Sequence, residues 1–398
     1  MIGSFTRHLG RVNSVMSTFW RRGALAIATV AGILLAPSGF ASAQQGKEHQ
    51  LQIVPDHNSA ATSAKTSPIP AERERSAYLM SYFKDETHSL YFAVSRDGFT
   101  FTDVNGGKPV LSGRDIAEQK GIRDPHITRG PDGAFYMAMT DLHIFGREEG
   151  LRTTAWERPE DRYGWGNNRN LILMKSRDMV HWTLARVDVG RLFPSLANAG
   201  TAWAPETIYD PVRRQMMVYF STRIGNGPLY MVSSYADPAF KTLTTEPVKL
   251  LIHPDSKVGT IDGDITRVGN QYRMFYVGHE NPGGIFQAVS KTIGSGYVYT
   301  PQRVAPETLA HEAPNLWRRH GTDTYVLMYD VFGAKPNNMG FAETKDFKTF
   351  TRIGHFNETG SPMKTTNFTS PKHGSVMPIT PDEATRLESY FAGASIPR

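Results

Sequence analysis

The chain has 398 residues, of which 39% are hydrophobic and 21% charged, and it contains no cysteine. This composition excludes a wholly disordered or collagen-like chain and provides for a large core; it also excludes disulfides, a thiolate nucleophile and cysteine-ligated metals. The net charge of +6 is concentrated at one end: residues 1–43 carry Arg7, Arg11, Arg21 and Arg22 and no acid, which leaves +2 for the remainder. Nucleic acid is therefore not an expected partner.

In residues 1–43, Arg21 and Arg22 precede an apolar run from Ala24 to Ala36, and Ala41-Ser42-Ala43 follows. A charged start, a short apolar run and a small-residue cleavage site predict a secretory signal peptide, hence a periplasmic or secreted protein. The run is too short, and Pro37 ends it too soon, for a membrane span, so none is expected once the signal is cleaved. Residues 44–76 are polar and read as a flexible linker.

From Ala77 onward the pattern changes. Short apolar runs recur at Ala77–Phe83, Leu90–Val94, Phe135–Met139, Leu171–Met174, Met216–Phe220, Tyr272–Tyr276 and Tyr325–Tyr329, separated by Gly, Asp and Asn. This is the pattern of strands and turns. One helix is expected near the C-terminus, where Thr380-Pro381-Asp382-Glu383 gives an N-cap, a first-turn proline and a capping Glu, and Leu387, Tyr390 and Phe391 follow at helical spacing.

Five copies of a weak repeat are legible, each a strand followed by a Ser/Thr-x-Asp turn or a decayed version of it. They lie at Ser95-Arg96-Asp97, Ser176-Arg177-Asp178, Ser234-Tyr235-Ala236-Asp237, Ser290-Lys291-Thr292 and Thr344-Lys345-Asp346. A second signature, a carboxylate beside Pro or Gly that opens a strand, stands upstream of the last four: Asp124-Pro125, Ala204-Pro205-Glu206, Asp262-Gly263-Asp264 and Glu312-Ala313-Pro314. The later spacings suit a four-stranded propeller blade. The first copy lacks its opening strand, and His373-Gly374-Ser375-Val376-Met377 is expected to supply it, which closes the ring and leaves no free sheet edge. The longest interval holds an insertion from Leu142 to Asn170 with Trp156, Trp165 and Tyr163, expected to serve as a binding loop or a solvated excursion.

In a propeller, opening strands line the central axis, so Asp124, Glu206, Asp262 and Glu312 are expected at one mouth. Clustered acids raise one another's pKa and cost stability, which points to use. Oxygen-ligated metal binding and acid–base cleavage of a glycosidic bond are both open to such a set; Trp203 before Glu206 and Trp317 after Glu312 favour the second, since aromatics suit the apolar faces of sugars.

At these residues the chain resembles glycoside hydrolase family 43, in the arabinanase and β-fructosidase clan. The resemblance runs from about Ala77 to the C-terminal helix and rests on the ordered set Arg123-Asp124-Pro125, Trp203-Ala204-Pro205-Glu206, Ile261-Asp262, Glu312-Ala313-Pro314 and His373-Gly374-Ser375. It implies an all-β chain, a five-bladed β-propeller catalytic domain over residues 77–398, and an inverting hydrolase acting on a glycan. By the same resemblance Asp124 is the general base, Asp262 the acid that tunes its partner and holds substrate, and Glu312 the general acid, with Asp264 and Glu206 as competitors for the latter two roles. Members usually read Glu-Gly-Pro where this chain has Glu312-Ala313-Pro314, and the extra methyl asks for a different backbone there. His373 matches a histidine that lies near a central water or metal in some members, so it is the candidate metal ligand; Ca2+ at the axis is one expectation, although no cofactor is required. Substrate contacts are expected from Glu206, Trp203, Trp165, His143 and Asp264. The expected substrates are arabinofuranosyl, xylosyl or related glycan ends, cut from the chain end because the insertion blocks a groove. The alternatives are a retaining fructan or sucrose hydrolase of the same clan and a non-catalytic carbohydrate-binding propeller.

Overall fold

The computed structural model describes residues 49–55, 69–151 and 158–394. The expected signal peptide and Trp156 of the insertion lie outside the described residues. The chain divides into two units, Met1–Lys47 and Glu48–Arg398, and the second holds everything described here.

That unit is built from five antiparallel sheets arranged as blades. From inside to outside, blade two runs Ile122–Arg129, Phe135–Asp141, Asn170–Ser176, His181–Asp188. Blade three runs Ala199–Asp210, Gln215–Ile224, Tyr230–Tyr235, Val248–Lys249; blade four, Thr260–Val268, Gln271–Gly278, Gly284–Ser290, Val298–Thr300; and blade five, Glu312–Arg318, Tyr325–Val331, Asn338–Thr344, Thr351–His355. Blade one combines Ala77–Phe83, Leu90–Ser95 and Thr100–Asp103 with an inner strand from the far end, Lys372–Ile379, which pairs antiparallel with Ala77–Phe83. The five inner strands touch in ring order, and the last touches the first. The expected closure by a C-terminal strand is thus observed.

Strand periodicity explains why the blades stack. Ala77–Phe83 is buried on both faces. Tyr78, Met80 and Tyr82 pack toward blade five, while Leu79 and Phe83 pack toward blade two. The same alternation splits Met216, Val218 and Phe220 from Met217 and Tyr219, and Val326 and Met328 from Leu327 and Tyr329. Successive side chains of a strand point to opposite faces, so every blade supplies one wall to each of two seams. Among the described residues five apolar clusters form, one at each seam. Full burial of one such Leu, Val or Phe is worth about 1.5–3 kcal/mol, so the ring is held by its seams.

The Ser/Thr-x-Asp repeat is the turn between third and fourth strands. Asp97 Oδ1 accepts from the backbone N–H of Phe99 and Thr100, and Ser95 Oγ from that of Gly98. Asp178 with Ser176, and Asp346 with Thr344, repeat the arrangement. The C-terminal helix Pro381–Phe391 has the expected Thr380–Glu383 capping box and buries Leu387 and Phe391.

The stretch expected to be a flexible linker is in part ordered structure. Gln52–Ile53 forms a parallel edge strand against His181 and Trp182 of blade two, and Glu72–Glu74 is a short 3-10 turn. Leu51 explains the docking: it is buried in the seam between blades one and two, where its apolar side chain outweighs its polar neighbours.

Candidate active site

Each inner strand is interrupted near its start by a shift of register against its neighbour: at Arg123/His126 in blade two, Ile261/Asp264 in blade four and Glu312/Asn315 in blade five, with matching irregularities in blades three and one. At four of these bulges the chain enters the left-handed region, with φ of 53° at Asp124, 44° at Ala204, 51° at Asp262 and 56° at Ala313. The conformation disfavours a Cβ by roughly 1–2 kcal/mol per residue. In blade one the bulge is His373-Gly374, and at Gly374, the counterpart of Pro125, Pro205, Gly263 and Pro314, an added Cβ would stand 2.0 Å from the Ser81 carbonyl oxygen. Ala313 takes the left-handed backbone that glycine favours, at the cost of strain.

A bulge leaves backbone N–H groups without a ladder partner, and such groups must be satisfied when buried. Here the preceding blade supplies the acceptor. Ser375 Oγ accepts from Ile127 N–H, His126 Nδ1 from Thr207, Tyr219 Oη from Ile265, Asp264 Oδ2 from Leu316 and Asn315 Oδ1 from Val376. The contacts lead from blade to blade around the axis and return to the start. Bulge and ring closure are one device: the first aims a side chain at the mouth, and the second pins the strand that carries it.

Alignment on the bulges separates two tiers. Asp124, Asp262 and His373 hold the same position; Glu312 stands one residue earlier. Glu206 lies two residues beyond its bulge, in line with His126, Asp264 and Asn315. The expectation that Glu206 shares a mouth with the other three acids is therefore corrected: it belongs to a deeper tier, with Asp264. Tyr219 Oη donates to Glu206 Oε2 at 2.7 Å, Asn315 Nδ2 donates to Asp264 Oδ1 at 3.1 Å, and Glu206 and Asp264 hydrogen-bond each other. Burial, and then the charge of Asp264, lifts Glu206 well above its ordinary value, and burial lifts Asp264 to about 7 against its hydrogen bonds to Leu316, Asn315 and Glu206. Both are buried and engaged in holding blades together, which does not suit contact with substrate.

The upper tier gathers the other three acids around one histidine. Asp124, Asp262 and Glu312, from three blades, surround His373 of blade one and interact electrostatically with it. His373 Nδ1 lies 3.1 Å from Asp124 Oδ1, and Thr140 Oγ1 donates to Asp124 Oδ2 at 2.7 Å while accepting from Ala204 N–H. Burial opposes charge on Asp124, but His373, Arg123 and Thr140 outweigh it and hold the carboxyl well below the ordinary carboxylate range. Burial likewise opposes the imidazolium, yet Asp124, Asp262 and Glu312 lift His373 to about 9. Asp262 is pushed to about 6, chiefly by burial and then, against the pull of His373, by Asp124. Glu312, partly exposed at the mouth, is pushed to about 8 by burial, Asp262 and Asp330, against Lys372 and His373. Near neutral pH one carboxyl is ionised and another, in the same pocket, keeps its proton.

His373 gives Nδ1 to Asp124, the orientation in which a histidine keeps Nε2 for another partner. Among the described residues the atoms close enough to share an ion belong to His126, Glu206 and Asp264, all within 4.8 Å of one another. Calcium takes about six to eight oxygen ligands. This set offers one nitrogen and two carboxyls already bonded to Tyr219, Asn315 and Leu316, and so does not fit it.

The described parts of the insertion fold onto blade three. Arg158 donates to the Ala199 and Asn168 carbonyls, Trp203 Nε1 to the Gly166 carbonyl at 2.9 Å, and Arg223 Nη2 to the Trp165 carbonyl. Trp165, 37% exposed, meets Trp203 edge to face, and Arg223 lies over the Trp203 ring. Trp165 is therefore open to a ligand, while Trp203 is half-buried with Arg223 over its ring. His143 is not open to one: it is buried, stacked on His88 at 3.9 Å, which corrects its expected substrate contact. Sequence reasoning passed over Lys372, Asp330, Asp85 and Thr140. Lys372 adjoins His373 and lies on the strand already singled out, which was the available signal.

Comparison with known proteins agrees with this picture. A family profile related to glycoside hydrolase family 43, described as a probable glycosyl hydrolase domain, matches residues 74–385. An α-L-arabinofuranosidase of Bifidobacterium longum subsp. longum is 27% identical over 200 residues, which cover 45% of this chain and 17% of that protein. Similar solved structures include a thermostable family-43 glycoside hydrolase, with 16% identity, coverage of 68% of this chain and 83% of that one, and a TM-score of 0.45. Another is the catalytic domain of the GH62 α-L-arabinofuranosidase of Coprinopsis cinerea, with 14% identity, coverage of 63% and 75%, and a TM-score of 0.42.

Proposed function

We propose a function from one premise: the chain belongs to the family 43-related glycosyl hydrolases, and is a glycosidase. Within that class we assign it an inverting mechanism with Glu312 as general acid, Asp124 as general base and Asp262 as the group that tunes them. The observation that carries the assignment is the opposite protonation of two carboxyls in one pocket, Asp124 held ionised by His373 and Glu312 held protonated near neutral pH. Protonation of the leaving oxygen by Glu312 and activation of water by Asp124 need that division. An inverting pair stands about 6.5–9.5 Å apart, which leaves room for the water.

The substrate we propose is an arabinofuranosyl or xylosyl chain end. The arabinofuranosidase named in the Bifidobacterium match supports the sugar class, and the exposed Trp165 beside Trp203 supports an aromatic contact to a sugar ring. The length of the insertion and its anchoring to blade three are what we base action at chain ends on. Export is part of the proposal, on the pattern of residues 1–43 alone.

The test is hydrolysis of aryl α-L-arabinofuranosides and β-xylosides by wild type, D124A and E312A, with the first product followed by proton NMR. The expected result is an inverted anomer and loss of activity in both variants. Retention of configuration, activity surviving in both, or release of mid-chain fragments from oligosaccharides overturns the corresponding part. A wild type that binds glycan and cleaves none of a broad panel would leave a binding propeller.

A further inference from the structure

The inner strand of blade one carries a second cation beside His373. Lys372 is fully buried, with Nζ 3.3 Å from Asp330 Oδ2 and 3.7 Å from Asp85 Oδ2. Asp330 is the cross-strand partner of Glu312 in blade five, and its Oδ2 also accepts from the His373 N–H. Arg123 of blade two holds the other oxygen of Asp85 at 2.9 Å. A string of charges, Arg123–Asp85–Lys372–Asp330, thus passes from blade two to blade five through blade one and its loop, behind the candidate acid. The charged groups that act on Glu312 are Lys372, His373 and Arg123 on the positive side and Asp262 and Asp330 on the negative. Those that act on Lys372 are Asp330, Asp85, Glu312 and Arg123.

A buried ammonium is costly to desolvate, and an ion pair in this position is weak evidence of stabilisation. Its chemistry suggests another purpose. In the reaction proposed above, on which this inference rests, the O–H bond of Glu312 breaks as a bond forms from its proton to the glycosidic oxygen. The C–O electron pair leaves with that oxygen, and water attacks the anomeric carbon and yields its proton to Asp124. Glu312 ends as a carboxylate that is only partly open to water. Charge that develops there needs a cation already in place. Of the cations around Glu312, Lys372 is the one held 3.3 Å from Asp330, the cross-strand partner of Glu312.

We propose that Lys372 is a positioning residue that stabilises the carboxylate Glu312 becomes, and that Asp330 restrains it so that the proton is not lost before substrate binds. Lys372 pulls toward ionisation and Asp330 against it, so the two set the strength of the acid between them.

The experiment measures the pH dependence of kcat/KM for K372M, K372R and D330N on aryl glycosides with leaving groups of graded pKa. Without Lys372 the basic limb is expected to move up by about one pH unit, and the loss of rate to be larger, tenfold or more, for poor leaving groups; without Asp330 the limb moves down, and K372R stays near wild type. If K372M fails to fold, the double variant K372M/D330N, which removes both ends of the pair, is compared with D330N, and the limb returns upward. Where no aryl glycoside is turned over, the Glu312 carboxyl titration, assigned by 13C NMR against E312Q, reads the same quantity. A limb or titration that does not respond to loss of Lys372 overturns the proposal. E312A separates the two levels: if it keeps activity on poor leaving groups, the acid itself is misassigned; if it loses activity while the Lys372 variants leave the limb in place, only the role of Lys372 fails.

Discussion

The His373–Asp124 pair gives a quantitative test of the pocket. His373 rises from an ordinary 6.5 to about 9. A change of that size corresponds to roughly 3 kcal/mol of stability at about 1.4 kcal/mol per pH unit. Because the native value lies above the unfolded one, the contribution is complete below about pH 6.5 and is lost as pH rises through about 9. H373Q keeps a polar side chain and removes the charge. Its deficit in unfolding free energy relative to wild type is expected to be roughly 3 kcal/mol larger at pH 6 than at pH 10. At a urea slope near 3 kcal/mol per molar this is about 1 M in the difference between midpoints. Urea titrations followed by tryptophan fluorescence at several pH values provide the measurement. They should stay above pH 5, because Asp124 is depressed: its own contribution is present above the ordinary carboxylate value and lost as pH falls toward the native one. A deficit that is the same at pH 6 and pH 10 would refute an imidazolium held by Asp124.

Other consequences follow from the same geometry. If Glu312 is the acid, kcat/KM falls as pH rises through about 8, and a profile flat to pH 10 removes it from that role. T140V deletes the hydroxyl that links Asp124 to the Ala204 N–H; a loss of about 1–3 kcal/mol by urea titration is expected, together with lower kcat. A313G relieves the left-handed alanine and should raise stability by up to about 1 kcal/mol, with Glu312 still in place and activity kept. G374A brings a methyl against the Ser81 carbonyl and should cost about 3 kcal/mol or prevent soluble expression, as seen by thermal melting.

The legible part of the fold was what repeats. Strands that must be apolar on both faces, and turns that need a Ser/Thr and an Asp at fixed offsets, recur with each blade, so their number and order could be read. The missing strand was legible because a ring without it has an exposed edge. What could not be read was the bulge. One extra residue in the inner strand changes which side chain faces the mouth, and nothing in Ala204-Pro205-Glu206 distinguishes it from Arg123-Asp124-Pro125 until the partner strand is seen. Glu206 was therefore placed a tier too high. Lys372, Asp330 and Asp85 gain their meaning only from one another, across blades far apart in sequence. Leu51 was hidden in polar text because a single buried leucine is enough to dock a two-residue strand.

Two of the cations beside the acids, Lys372 and His373, arrive with the final strand. During synthesis, Asp124, Asp262 and Glu312 leave the ribosome before them, so the nascent chain holds its acids with Arg123 alone of these counter-ions. Closure of the ring and completion of its charged cluster therefore come in one event, and a polypeptide stopped short of Lys372 has neither.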